Sequence, residues 1–142
     1  MVFSDGLSDG YECTAETLAA GTLLPTARAF QLFSNVAVNG EYVLTPSVSG
    51  DTTNVRAYAA THSGGTALVL FNLNETSSES VQVNLTNVTS STAVTVQTYD
   101  KAIYDQSESG VWAAPSTTTL GAQSMPLTLT LTPWSMNVVT IK

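Results

Sequence analysis

PLTLTLTPWSMNVVTIK, residues 126–142, holds two strand-like runs on either side of a Thr-Pro-Trp corner. Leu127, Leu129 and Leu131 alternate with threonines, so an extended backbone puts three leucines on one face and the hydroxyls on the other. Beyond Pro133 the apolar pattern resumes with Val138, Val139 and Ile141. One buried face and one wet face mark an antiparallel sheet. The two runs predict a hairpin inside a sandwich, its leucines between two sheets. Its last strand is expected to pair centrally or beside the segment that follows the helix.

The same reading extends upstream. Candidate strands over Glu41–Leu44, Asn54–Thr61, Thr66–Asn72, Ser80–Thr86 and Ala93–Tyr99 precede Leu127–Leu131 and Met136–Ile141, separated by turn-rich clusters. THSGGT (61–66) and NLNETSSES (72–80) read as hairpin or loop connections, and VQVNL (81–85) buries one face through Val81, Val83 and Leu85. The interval from Asp100 to Gln123, carrying Tyr104, Trp112 and Pro115, reads as the one irregular excursion. Ahead of the strands, GTLLPTARAFQLFSNVAVNG (21–40) predicts a helix with Pro25 in its first turn and Asn39-Gly40 as its stop. Phe30 and Phe33, joined by Leu23 and Val36, are expected to form its apolar face. The fold class is therefore all-β, an antiparallel β-sandwich of seven to eight strands preceded by one short N-terminal helix. Residues 1–40 form the loop-and-helix entry, residues 1–20 being loop, and 41–142 the sandwich.

Composition narrows the function. A chain of 142 residues with only 11% charged side chains and a net charge of −7 builds its polar surface from Ser, Thr, Asn and Gln. Arg28, Arg56, Lys101 and Lys142 are scattered, which argues against nucleic acid and against anionic membranes as partners. The apolar run Ala67–Phe71 is a buried strand, far short of the roughly 20 residues that cross a bilayer. One cysteine, Cys13, provides no disulfide framework, and the opening MVFSDGLSDG carries no export signal.

Five stretches carry a family resemblance: PTARAFQLFS (25–34), NVRAYAA (54–60), ALVLFNLN (67–74), VQTYDKAIYDQSESGVWAAP (96–115) and LTLTLTPWSMNVVTIK (127–142). In this order they resemble the C-terminal β-sandwich of retaining (β/α)8-barrel glycosidases, as in glycoside hydrolase families 39, 44, 51, 30 and 79. The resemblance implies a secreted accessory domain whose partner is the catalytic barrel of a parent enzyme, with no cofactor. It also implies what is lacking, because such enzymes use two barrel glutamates roughly 5 Å apart, one of them in an Asn-Glu pair. Asn74-Glu75 imitates that pair on a hairpin tip, where a general acid lacks its desolvated pocket. Glu41, Glu79 and Glu108 are no better placed.

Other chemistry is sparse. His62 stands alone beside Ser-Gly-Gly, without zinc-ligand spacing, and Asp5-Gly6 and Asp9-Gly10 lack the stepwise ligands of a calcium loop. The sequons at Asn74, Asn84 and Asn87 are what chance places in a chain this rich in Asn and Thr. Aromatics offer more, since sugars stack their C–H faces on flat rings. Trp112, Tyr104 and Tyr99 fall in or beside the long excursion, with Asp100, Asp105 and Gln106 as polar partners for hydroxyls. These six form the candidate carbohydrate platform. The competing reading makes Trp112 a lid over a sheet and the tyrosines loop anchors; Trp134, at the Pro133 corner, reads as structural. Three function classes stay open: accessory domain, autonomous carbohydrate-binding module for plant cell-wall polysaccharide, and small independent enzyme. The expected assembly is a monomer or weak dimer.

Overall fold

The computed structural model describes residues 23–37, 42–62, 64–108 and 113–142. The loop expected over residues 1–20, with Cys13 and both Asp-Gly pairs, lies outside them, as do Asn39-Gly40, Glu41 and Trp112. In chain order the elements are α1 (Pro25–Ala37), β1 (Tyr42–Leu44), β2 (Val55–His62), β3 (Gly65–Asn72), β4 (Glu79–Val83), β5 (Ser90–Tyr99), α2 (Lys101–Glu108), β6 (Ser116–Ser124), β7 (Leu127–Leu131) and β8 (Ser135–Ile141). The eight strands form two antiparallel sheets, one of six strands in the order β1-β2-β3-β8-β5-β6 and one of two, β4-β7.

β7 buries Leu127, Leu129 and Leu131 and exposes Thr128 and Thr130, as the alternation demands. It does not form a hairpin with β8. β7 pairs with β4 in the small sheet, whereas β8 lies between β3 and β5 in the large one. The Thr132–Trp134 corner thus carries the chain from one sheet to the other, and both apolar runs point into the same core from opposite sides. That core holds Ala59, Leu68, Leu70, Val94, Val139 and Ile141 from the large sheet against Val83 and the three leucines of the small one. Each large side chain buried there contributes roughly 1.5–3 kcal/mol.

β3 and β8 are apolar on both faces because the large sheet is covered twice. Leu68 and Val139 face the small sheet, while Val69 and Val138 face α1. Leu32 and Val36 of α1 pack there on Ala60, Ala67, Val69 and Val138. The helix folds onto the sandwich as expected, but through a different stripe. Phe30 is 71% exposed and Phe33 43%. At about 100° per residue, Leu32 and Val36 share a face from which Phe30 points away, so the larger rings lose to the better-placed aliphatics.

The described residues between Asp100 and Gln123 hold α2 and most of β6, correcting the irregular excursion. Asp100 caps α2: its Oδ1 accepts from Ile103 N at 3.0 Å, and its carbonyl accepts from Tyr104 N at 2.9 Å. β6 then pairs along β5 as an outer strand, with a register shift near Val94 where Gly121 has φ +69°. Its residues are mostly exposed, so no apolar alternation announces it. Gly65, at φ +137° beneath the β2–β3 turn, sits so close to the Ile141 carbonyl that no β-carbon fits.

Candidate functional site

Cross-strand register lays out the helix-bearing face in rows. Ala60 and Ala67 pair, as do Tyr58 and Val69, and Val69 pairs with Val138; these rows lie under or beside α1. The next row runs Arg56–Phe71–Met136–Tyr99 across β2, β3, β8 and β5. Here Phe71, Met136 and Tyr99 are only partly buried. Two shallow clefts open on it, one of about 150 Å³ lined by Tyr99, Asp100, Lys101, Tyr104 and Trp134 and one of about 260 Å³ bounded by Phe71, Leu73, Trp134 and Met136, with Tyr99 and Trp134 common to both. Both fall below the roughly 300–1,000 Å³ of an enclosing small-molecule pocket. They suit a ligand that lies across a surface.

Of the six residues singled out from sequence, Tyr99, Asp100 and Tyr104 line the first cleft. Tyr104 is 42% exposed on α2. Asp105 and Gln106 stand exposed on the same helix, outside the cleft lining, and Asp105 pairs with Lys101 at 2.9 Å. Trp112 lies outside the described residues. Both carboxylate oxygens of Asp100 are engaged, Oδ1 by Ile103 N and Oδ2 by the Thr132 hydroxyl at 2.9 Å, so this side chain pins α2 to the β7–β8 corner.

Tyr99 is anchored on β5 with its hydroxyl buried. Burial pushes the phenol above its usual value and Tyr104 adds to the shift, while the Ser107 hydroxyl and the Arg28 guanidinium oppose it. Tyr99 Oη and Arg28 Nε are the buried side-chain polar atoms left without a hydrogen-bond partner among the described residues.

Trp134 is the residue the sequence reading placed as structural rather than in the carbohydrate platform. Its indole is 50% exposed and borders both clefts. Its backbone has φ +44°, an outlier for a bulky side chain that costs about 1–3 kcal/mol. The conformation is held by a hydrogen bond from Trp134 N to the Asn74 carbonyl, 2.8 Å. Beneath it lies Asn72, 1% exposed, whose Nδ2 donates to the carbonyls of Ser77, Leu131 and Thr132 at 2.9, 3.2 and 3.0 Å and whose Oδ1 accepts from Asn74 N at 2.9 Å. One buried amide thus binds the β3–β4 loop to the corner that presents the indole. A Pro-Trp pair between two apolar runs is the only sequence signal for this position, and it does not reveal a positive φ.

Asn74 and Glu75 sit in that same loop. Asn74 Oδ1 accepts from Thr76 N and Ser77 N at 3.1 and 3.0 Å, shaping a turn, and Glu75 is exposed. Among the described residues no three His, Cys, Asp or Glu side chains cluster as metal ligands, and no helix is long and apolar enough to cross a membrane.

Fold and site together define a two-sheet antiparallel sandwich with a helix on one face and an aromatic row beside it. Solved structures of glycoside hydrolases contain this fold. A family 44 xyloglucanase from Paenibacillus polymyxa matches 82% of this chain with a TM-score of 0.65 and 18% identity, over 22% of its own length. A thermostable family 51 α-L-arabinofuranosidase from Thermotoga petrophila matches 83% at a TM-score of 0.64 and 14% identity, over 29% of its length. A family 30 endoxylanase from Clostridium papyrosolvens matches 82% at 0.52 and 18%, over 27% of its length. The chain therefore spans less than a third of the glycosidases it resembles. No family model and no curated protein matches the sequence.

Proposed function

We propose that this chain is a non-catalytic accessory domain of a secreted glycoside hydrolase and that it covers and stabilises a catalytic (β/α)8 barrel. Residues 41–142 make the sandwich and residues 1–40 the junction with the barrel. One observation carries the reading: two phenylalanines of α1, Phe30 and Phe33, are left exposed among the described residues. Asn35 of α1 reaches across to Gln97 on β5 at 3.1 Å, and Phe33, two residues or about 200° away, faces the opposite flank. On that flank the same sheet face exposes Tyr58 and Val43, 55% and 90% accessible. With Phe30 they make an apolar surface of the sort that marks an interaction site. Matches that cover only 22% and 29% of glycoside hydrolase chains support a catalytic barrel as its occupant.

A second reading, an autonomous module for plant cell-wall polysaccharide, is supported by the half-exposed rings of Tyr104 and Trp134 around one cleft. On both readings hydrolysis belongs to the barrel glutamates and not to this chain. The purified chain is expected to release no reducing sugar from β-glucan, xylan or arabinan. Release that disappears on mutating Glu75 or Asp105 would overturn both.

A further inference from the structure

Trp134 and Tyr99 border both clefts, with the half-exposed indole as the more accessible of the two rings, and this shared wall points to a ligand with a repeat. To that shared wall cleft one adds Tyr104, and cleft two adds Phe71, Leu73 and Met136. Each is walled mainly by apolar side-chain surface. We infer that Trp134 is the central stacking residue of a two-subsite platform for a neutral polysaccharide, with Tyr104 beside it in one subsite and Phe71 in the other.

Three features select this occupant. The charged groups lining the clefts are Asp100 and Lys101; Asp100 has both oxygens engaged, and Lys101 pairs with Asp105. Among the described residues these two opposite charges sum to zero, so the lining has no net charge to recruit an ionic ligand, and the chain's net charge of −7 repels acidic glycans. The clefts, about 150 and 260 Å³, are local features, whereas a stable protein partner spreads over roughly 800 Å². Finally, the corner that carries the indole is held in place: the buried Asn72 amide and the Trp134 N–H to Asn74 carbonyl bond fix its backbone in advance, which reduces the ordering cost of binding. Tyr58 touches Phe71 edge to face at 6.2 Å between ring centroids, so the platform adjoins the surface assigned to the barrel. The choice of a polysaccharide rests on the glycoside hydrolase reading.

Native gels containing xyloglucan, hydroxyethylcellulose or arabinan test the platform, with polygalacturonate as the acidic control. The 142-residue chain is expected to be retarded by at least one neutral glycan. Trp134→Gly removes the indole and suits a positive φ, so it is expected to melt cooperatively while binding at least tenfold more weakly. Tyr104→Ala, on an exposed helix face, is expected to weaken binding several-fold and decides the matter alone if Trp134→Gly does not fold. No retardation of the wild type, equal retardation of wild type and folded variants, or stronger retardation by polygalacturonate would each overturn the platform. None of these gels contains the barrel, so the platform and the docking of α1 stand or fall separately.

Discussion

Leu131→Asp is expected to remove several kcal/mol of stability, enough to leave the chain largely unfolded at room temperature. Leu131 is 1% exposed and lies between the two sheets. An aspartate there has no partner for its charge, and burying an unpaired carboxylate is among the few single changes that exceed 4 kcal/mol. Total stability of a domain is commonly about 5–15 kcal/mol. One residue away, Thr130 points to solvent, and Thr130→Asp is expected to shift stability by no more than about 0.5 kcal/mol. Urea denaturation of the pair tests the face assignment of β7 directly. Similar losses for both would mean that the strand is not half-buried.

Asn72→Asp is the second large effect. The substitution keeps the shape and replaces two N–H donors by an oxygen that faces the carbonyls of Ser77, Leu131 and Thr132. Three acceptors lose their donor in a site that is 1% exposed, and a loss of about 3–5 kcal/mol is expected. The pH dependence separates this from simple misfit. Burial and facing carbonyls raise the introduced carboxyl's folded pKa above its unfolded value of about 3.9. The folded variant then holds a proton that the unfolded chain has lost, so stability relative to wild type falls as pH rises from about 4. Thermal melts at pH 4 and pH 8 are expected to show the larger deficit at pH 8. A deficit independent of pH would place Asn72 outside the network described.

Much of the sandwich was legible because its central strands carry their burial in the sequence. The leucines of β7 alternate, and ALVLF in β3 is continuously apolar because both faces of that strand are covered. What stayed hidden has physical reasons. β6 is an edge strand whose threonines face water, so hydrophobic periodicity passes over it. α2 begins at a cap, Asp100, whose capping role depends on a hydrogen bond three residues on. The sheet change between β7 and β8 preserves the inward face on both sides of the corner, so hairpin and crossover share one pattern. In the candidate site, Tyr99 and Tyr104 were legible as aromatics beside a loop. Trp134 was not, since its exposure follows from a positive φ set by Asn72 and Asn74, both remote in sequence.

The proposed docking of α1 onto a catalytic barrel is tested most directly by the melting temperature of the barrel of the proposed parent enzyme, produced as a separate protein, with and without this chain. Binding stabilises a partner by mass action, about 2.7 kcal/mol at a hundredfold excess over Kd. The expected result is a rise in the barrel's melting temperature that increases with added chain. Phe30→Asp, at a position 71% exposed, is expected to leave the chain's own melting unchanged and to abolish that rise. A barrel that melts at the same temperature with and without the chain, or is stabilised equally by wild type and Phe30→Asp, would contradict it.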